Sequence, residues 1–234
     1  MRLDTYRLLT AANPNTHLVA IDYRGWGYSS GIPSEGSVII DGLTALDWLL
    51  NTAHVDPSRI LLVSQSLGTG IAMGVATHYA ERNRDKPLAG IVNIASFTSL
   101  HNLVGAYRMG GFLPLLGPLA LVPQVRDYFI QRFLRAKFDS GERMLRLVRL
   151  TRGTPFSITL VHATNDWEIS YHHSRELFQI ACDGDKTVRE VHFTDRVVKS
   201  VEGGRIRHVE TGWGGHNSVQ KSDAVVKAVI SAWR

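Results

Sequence analysis

Short apolar runs alternate along the chain with stretches whose apolar residues recur every three to four positions. The runs at 18–21, 60–63, 88–94 and 158–161 predict buried strands. Apolar residues at 39, 43, 46, 49 and 50 form a helical stripe over 37–50, and the small, apolar stretch 67–79 predicts a helix packed on a sheet. Further helices are predicted at 174–180 and 224–233. Strands alternating with helices point to an α/β fold, with a mostly parallel sheet flanked by helices. Residues 97–153 break this rhythm and are too long for a connection, so they are expected to form a helical lid inserted into a single domain over 1–234. Residues 188–212 alternate and contain Glu202-Gly203-Gly204-Arg205, a hairpin turn between two strands.

Candidate chemistry sits at the strand ends. Leu61-Leu62-Val63-Ser64-Gln65-Ser66-Leu67-Gly68-Thr69-Gly70 runs strand, tight turn, small-residue helix, the context that a nucleophile elbow requires. Such a turn demands small residues two before and two after the nucleophile, and Ser64 and Gly68 meet that demand. The backbone N–H of Leu67 is then the expected oxyanion donor. A serine needs a base and an orienting acid, and in this architecture the chain order is Ser, Asp or Glu, His. Asp166 follows the strand 158–161, and His216 lies on the glycine-rich Gly212-Trp213-Gly214-Gly215-His216-Asn217 loop before the last helix. Asp166 also fits as a cap of the following helix; Asp183, Asp185 and Asp195 are rival acids one element too late. His162, inside an apolar strand, reads as a satisfied core residue, and His172-His173 as an exposed pair at a helix start. Upstream, Asp22-Tyr23-Arg24-Gly25-Trp26-Gly27 reads as a tight turn in which Arg24 and Asp22 pair locally.

Composition narrows the classes. The chain has 234 residues, of which 44% are hydrophobic, enough for one full core. A single cysteine, Cys182, excludes an internal disulfide framework and a cysteine-based zinc site, and the histidine pair has no carboxylate or cysteine at ligand spacing. No metal or cofactor is therefore expected. There is no run of 18 apolar residues; the longest uncharged stretch, 109–125, is broken by Pro114, Pro118 and Pro123. No apolar signal region follows Met1-Arg2-Leu3-Asp4. The net charge of +5 comes without an aromatic-interleaved basic stripe, so no nucleic-acid partner is expected.

With Asp22-Tyr23-Arg24-Gly25-Trp26-Gly27, Pro33-Ser34-Glu35, Ser64-Gln65-Ser66-Leu67-Gly68-Thr69-Gly70, Thr164-Asn165-Asp166 and Trp213-Gly214-Gly215-His216-Asn217, the chain resembles the α/β-hydrolases. More narrowly it resembles the group of lysophosphatidylserine and monoacylglycerol lipases. The resemblance implies Ser66 as nucleophile, Asp166 as acid and His216 as base. Two positions depart from the pattern: Ser64 replaces the first elbow glycine, and Gln65 replaces the group's histidine before the nucleophile. The group's early strands end in a His-Gly-rich loop that supplies a second oxyanion N–H. Residues 1–15 leave room only for part of the helix before the 18–21 strand, so the chain is expected to be a fragment lacking those early strands.

The implied activity is cleavage of a lipid carboxylic ester of the lysophospholipid or monoacylglycerol type. A peptidase or acyltransferase on the same triad is the alternative, as is a non-catalytic binding module. The resemblance also implies an intracellular, membrane-associated setting, such as the endoplasmic reticulum. The apolar segments 112–116 and 119–122 suit an acyl chain. Residues 126–152 hold eight basic and three acidic residues, a net +5 equal to that of the whole chain. Next to the apolar stretch, this makes residues 109–152 a candidate contact with an anionic membrane surface.

Overall fold

The computed structural model describes all residues except 1, 12, 14, 107, 110–112, 115–123, 125–135, 183–187, 194, 202–203 and 234. Its frame is a six-stranded sheet in the order β1-β2-β5-β8-β7-β6. β1 (Leu61–Gln65), β2 (Gly90–Ile94), β5 (Ser157–Ala163) and β8 (Ile206–Thr211) run parallel. β7 (Arg196–Val201) and β6 (Val188–His192) complete the sheet antiparallel. β3 (Arg108–Met109) and β4 (Leu113–Pro114) form a separate two-residue ladder.

β2 and β5 are buried along their whole length, as central parallel strands covered on both faces must be. Alternation divides their side chains. Ile91, Ile158 and Leu160 join one core with α2 (Glu35–Asp47), α3 (Leu67–Arg82), α5 (Ser140–Leu150) and α6 (His172–Cys182). Val92, Ile94, Val161 and Ala163 join the other, beneath α1 (Arg2–Ala11) and α8 (Asp223–Ser231). α2 starts at a reciprocal capping box between Ser34 and Ser37, and its apolar stripe continues into a π-helical turn over Trp48–Thr52. α2 and α3 approach closely because glycine faces a branched side chain from each side. A Cβ on Gly42 would lie 2.6 Å from Val75, and one on Gly74 2.6 Å from Ile39.

One predicted strand does not form. Residues 18–21 belong to no helix or strand, with Val19 51% and Ile21 38% exposed. An apolar run becomes a strand only where a neighbour supplies ladder partners, and among the described residues none pairs with it. β1 ends the sheet. The strands flanking 202–205 pair antiparallel as the hairpin reading requires, although residues 202–203 lie outside the described residues. So do most of the 112–116 and 119–122 segments. Within 97–153 the described helices are α4 (Leu100–Ala106) and α5. α5 is capped by Asp139 and buries Met144 and Leu147 in the main core.

Candidate active site

Ser66 stands between β1 and α3 with φ +54° and ψ −128°, a conformation that L side chains rarely adopt. The turn is held on both sides. Ser66 N–H donates to Ile94 O at 3.0 Å, and its carbonyl accepts from the Thr69 N–H and hydroxyl at 2.8 and 2.7 Å. The space around the elbow is less tight than the sequence suggests. A Cβ on Gly68 would meet Ser64 Cβ at 3.8 Å, an ordinary contact, so position 68 has room for a methyl group. Ser64 is used rather than merely small, since its hydroxyl donates to Asn93 Oδ1 of β2 at 2.7 Å. Leu67 is the first residue of α3, so its N–H is among the donors that a helix leaves without an intrahelical partner.

Asp166 and His216 arrive from the same end of the sheet, beyond the ends of β5 and β8. This is where open α/β sheets gather ligand-binding groups. Asp166 Oδ1 accepts from the Glu168 and Ile169 N–H groups, both at 2.9 Å. These donors lie before α6, which begins at His172, so Asp166 ties down its own turn rather than capping that helix, and its Oδ2 faces His216. The sequence pattern predicts a loop at His216; it lies instead in the one-turn helix α7 (Gly215–Ser218) ahead of α8, and the entry needs its glycine: Gly214 has φ +116°, and a Cβ there would lie 2.8 Å from Val219 Cα. Asn165 Oδ1 accepts from Gly215 N–H at 2.9 Å, and Gln65 Nε2 donates to His216 O at 2.7 Å.

The three side chains meet in a line. His216 Nε2 lies 3.1 Å from Ser66 Oγ, and His216 Nδ1 lies 2.9 Å from Asp166 Oδ2. Burial alone would raise the Asp166 pKa, but hydrogen bonds from His162, His216 and the Ile169 N–H hold it well below the usual carboxylate range. Burial alone would lower that of His216, but the Asp166 hydrogen bond and charge, with the Glu168 carboxylate, hold it above the ordinary histidine value.

Other sequence expectations fall elsewhere. Arg24 does not pair with Asp22; it makes a 2.6 Å ion pair with Asp41 of α2, while Asp22 accepts the Tyr28 N–H across its own turn. His173 is not an exposed partner of His172: it is half-buried and bonds Thr98 Oγ1 at 3.1 Å, and burial lowers its pKa. Asp195 pairs with Arg196, away from the line, and Asp183 and Asp185 lie outside the described residues. Among the described residues no group of three or more His, Cys, Asp or Glu side chains is placed to hold a metal ion. No described helix is long and apolar enough to cross a membrane. Asn93 and the contact between His162 and Asp166 are the site features that sequence reasoning missed. Register supplies the signal for the first, because Asn93 lies opposite Ser64.

The alpha/beta hydrolase family model matches residues 3–228. The chain belongs to this family. Among curated relatives it is 26% identical to the lysophosphatidylserine lipase ABHD12 of Rattus norvegicus over 182 residues, 77% of this chain and 41% of that protein. The chain thus spans well under half the length of that relative. Among solved structures, an alpha-beta hydrolase from Vibrio vulnificus matches with a TM-score of 0.60 at 19% identity, covering 91% of this chain and 61% of that one. The meta-cleavage product hydrolase of Pseudomonas fluorescens matches with a TM-score of 0.56 at 16% identity, covering 98% and 84%. Both likenesses concern the fold.

Proposed function

We propose that this hydrolase-family chain carries the catalytic part of a serine hydrolase that cleaves a carboxylic ester of a lipid. The observation that carries the reading is the unbroken hydrogen-bonded line from Ser66 Oγ through His216 to Asp166. The lysophosphatidylserine lipase relatives favour a lysophospholipid as the substrate class, and the sequence resemblance adds a monoacylglycerol.

In this mechanism Ser66 Oγ bonds to the acyl carbon while His216 Nε2 takes its proton. Asp166 keeps the His216 Nδ1–H directed at its own Oδ2 and stabilises the imidazolium. The Leu67 N–H donates to the developing oxyanion. The tetrahedral centre collapses, the ester C–O bond breaks, and His216 returns the proton to the departing alcohol. Water, deprotonated by His216, then attacks the acyl-enzyme and frees both the fatty acid and Ser66. Apolar residues of 112–116 and 119–122 are proposed to receive the acyl chain, and residues 109–152 to contact an anionic membrane surface.

Fluorophosphonate labelling and turnover of lysophosphatidylserine and monoacylglycerol test the reading. Labelling confined to Ser66, lost in Ser66→Ala, is the expected result. Labelling that persists in Ser66→Ala moves the nucleophile to another residue, whereas a folded wild type that neither labels nor turns over any lipid ester, peptide or acyl-acceptor pair leaves the binding-module reading in its place.

A further inference from the structure

Behind Asp166 lies a row of buried polar side chains that the proposed reaction does not use. His162, on β5, is fully buried; its Nδ1 lies 3.0 Å from Ser174 Oγ and its Nε2 3.0 Å from Ile169 O. Nε2 is also 3.4 Å from Asp166 Oδ2, the oxygen that faces His216, so the carbonyl is its nearer partner and the carboxylate its second. Ser174 Oγ lies 2.9 Å from His208 Nε2, and His208 Nδ1 faces Glu210 Oε1 at 3.4 Å. Glu210 ends the row in a two-pronged pair with Arg175, at 2.7 and 2.6 Å.

Counting protons gives the row a direction. His162 Nε2 faces two acceptors, so it carries a hydrogen. Burial pushes the His208 pKa down to about 4, so that ring is neutral at pH 7. Linking Asp166, His162, Ser174, His208 and Glu210 takes four hydrogens; with one hydrogen on each ring and one on the hydroxyl, the row holds three. The link left without one is His208 to Glu210, and His208 Nδ1 is a buried atom with no hydrogen-bond partner. The others then point one way: His208 Nε2–H to Ser174, the Ser174 hydroxyl to His162, and His162 Nε2–H to Ile169 O and Asp166. The Ser174 hydroxyl also donates to the Tyr171 carbonyl at 2.9 Å, so its single hydrogen is shared between that oxygen and His162 Nδ1.

We propose that His162 is a positioning residue for the triad acid: its Nε2–H, held in place by Ser174 and His208, fixes the Asp166 carboxylate beside His216 and shares its charge. This rests on the Ser66–His216–Asp166 reading. Two backbone N–H groups already hold Oδ1, so His162 acts on Oδ2, the atom that orients the base. Without this donor the carboxylate becomes more basic, its pull on the His216 imidazolium strengthens, and its aim is no longer fixed.

The test combines NMR titration of the histidine ring protons with pH profiles of kcat and KM on a lipid ester, in wild type, His162→Leu, His162→Gln and Ser174→Ala. The groups that bear on the titration are Asp166, Glu168 and Ser66 around His216, and Asp166, His173 and, beyond Ser174, His208 and Glu210 around His162. His162→Leu is expected to move the His216 titration to higher pH and to lower kcat about 10- to 100-fold with KM little changed. His162→Gln, which keeps an N–H near the same point, is expected to recover most of both, and Ser174→Ala to shift both in the direction of His162→Leu but less. A folded His162→Leu with only a lower Tm, or a His162→Gln no better than it, overturns the proposal. If His162→Leu does not fold, a Ser174→Ala that leaves both readouts unchanged overturns it. The titration needs no turnover: a His216 that responds to His162 in a protein whose Ser66 never labels upholds the positioning role and overturns the hydrolase reading alone.

Discussion

The side chain of Gln65 donates to the backbone carbonyl of His216 at 2.7 Å and to Gln220 Oε1 at 3.0 Å. It ties the residue before Ser66 to the short helix that carries His216, across 151 positions of sequence. A position that departs from the lipase pattern thus has its own task here. Gln65→Leu removes the tie without a large change in volume. Turnover is expected to fall about tenfold, the value of one hydrogen bond of about 1.4 kcal/mol, with labelling of Ser66 slowed in parallel. Labelling rates against a fluorophosphonate check this, and an unchanged rate refutes it.

In the proposed reaction the His216 environment sets the acid limb of the pH profile. A base works only when neutral, and Asp166 and Glu168 hold His216 above the ordinary value of 6.5 against the effect of burial. The midpoint of kcat/KM on the acid side is therefore expected above 6.5 in wild type. In Asp166→Asn the opposing charge is gone and burial prevails, so the limb moves to lower pH, and kcat falls about 10⁴-fold. Initial rates from pH about 5 to 9 decide the sign.

How much of this was legible in the sequence differs by kind of contact. β2 and β5 could be read because a strand buried on both faces is a mainly apolar run, here interrupted by Asn93 in β2 and by Ser157, Thr159 and His162 in β5. Ser66, Asp166 and His216 could be singled out because each follows a strand end. The run at 18–21 misled because apolar character marks a segment able to form a strand, whereas pairing depends on a neighbour that the run itself does not specify. The same holds for partners. Arg24 reads as Asp22's neighbour in sequence, yet its carboxylate comes from a helix 17 positions away. His162 was read as a satisfied core residue, and it is buried and bonded; periodicity assigns a face and says nothing of which groups share it.

Two glycines that look alike in sequence differ in what they tolerate. Gly68→Ala places a methyl at ordinary contact distance and adds a better helix former to the first turn of α3, so stability is expected to hold or rise by up to about 1 kcal/mol. Gly214→Ala puts a Cβ 2.8 Å from Val219 Cα at φ +116°, and a loss of about 2 kcal/mol or more is expected, with α7 and its His216 displaced. Denaturant unfolding of the two variants checks the contrast.

His208 ties stability to acid pH. Its ring is fully buried, with a folded-state pKa of about 4 against an ordinary 6.5. Above pH 6.5 both states are neutral at this residue and its contribution is complete; below it the unfolded chain takes a proton that the folded protein refuses down to about pH 4. Stability from this group is thus lost as pH falls, by about 3 kcal/mol over the whole window. His216 has the opposite sign, because its folded-state pKa is raised and its contribution is retained below 6.5. The informative quantity is the difference between wild type and His208→Gln: the variant is expected to lose less stability between pH 7 and 4.5, measured by urea unfolding at each pH. Parallel curves refute the assignment.

The proposed membrane contact is tested away from the arginines that tie α5 to α2 and α3. Residues 126–152 hold eight basic residues against three acidic ones, beside the uncharged stretch 109–125. Arg143 pairs with Glu35 at 2.6 Å and donates to Gly70 O, and Arg146 pairs with Glu81 at 2.7 Å. Replacing those two would loosen α5 from α2 and α3 and confuse a binding defect with a folding defect. Arg149 is exposed on α5, while Arg132 and Arg135 lie outside the described residues. A basic side chain near an anionic surface contributes about 1 kcal/mol, so the triple substitution Arg132→Gln, Arg135→Gln, Arg149→Gln is expected to weaken binding to phosphatidylserine vesicles by about 3 kcal/mol, roughly 100-fold. Binding of the wild type is expected to fall as salt shortens the Debye length and to vanish on phosphatidylcholine alone. Co-sedimentation that is equal on neutral and anionic vesicles, or unchanged in the triple variant, removes the electrostatic surface from the proposal and leaves any membrane contact to the apolar stretch.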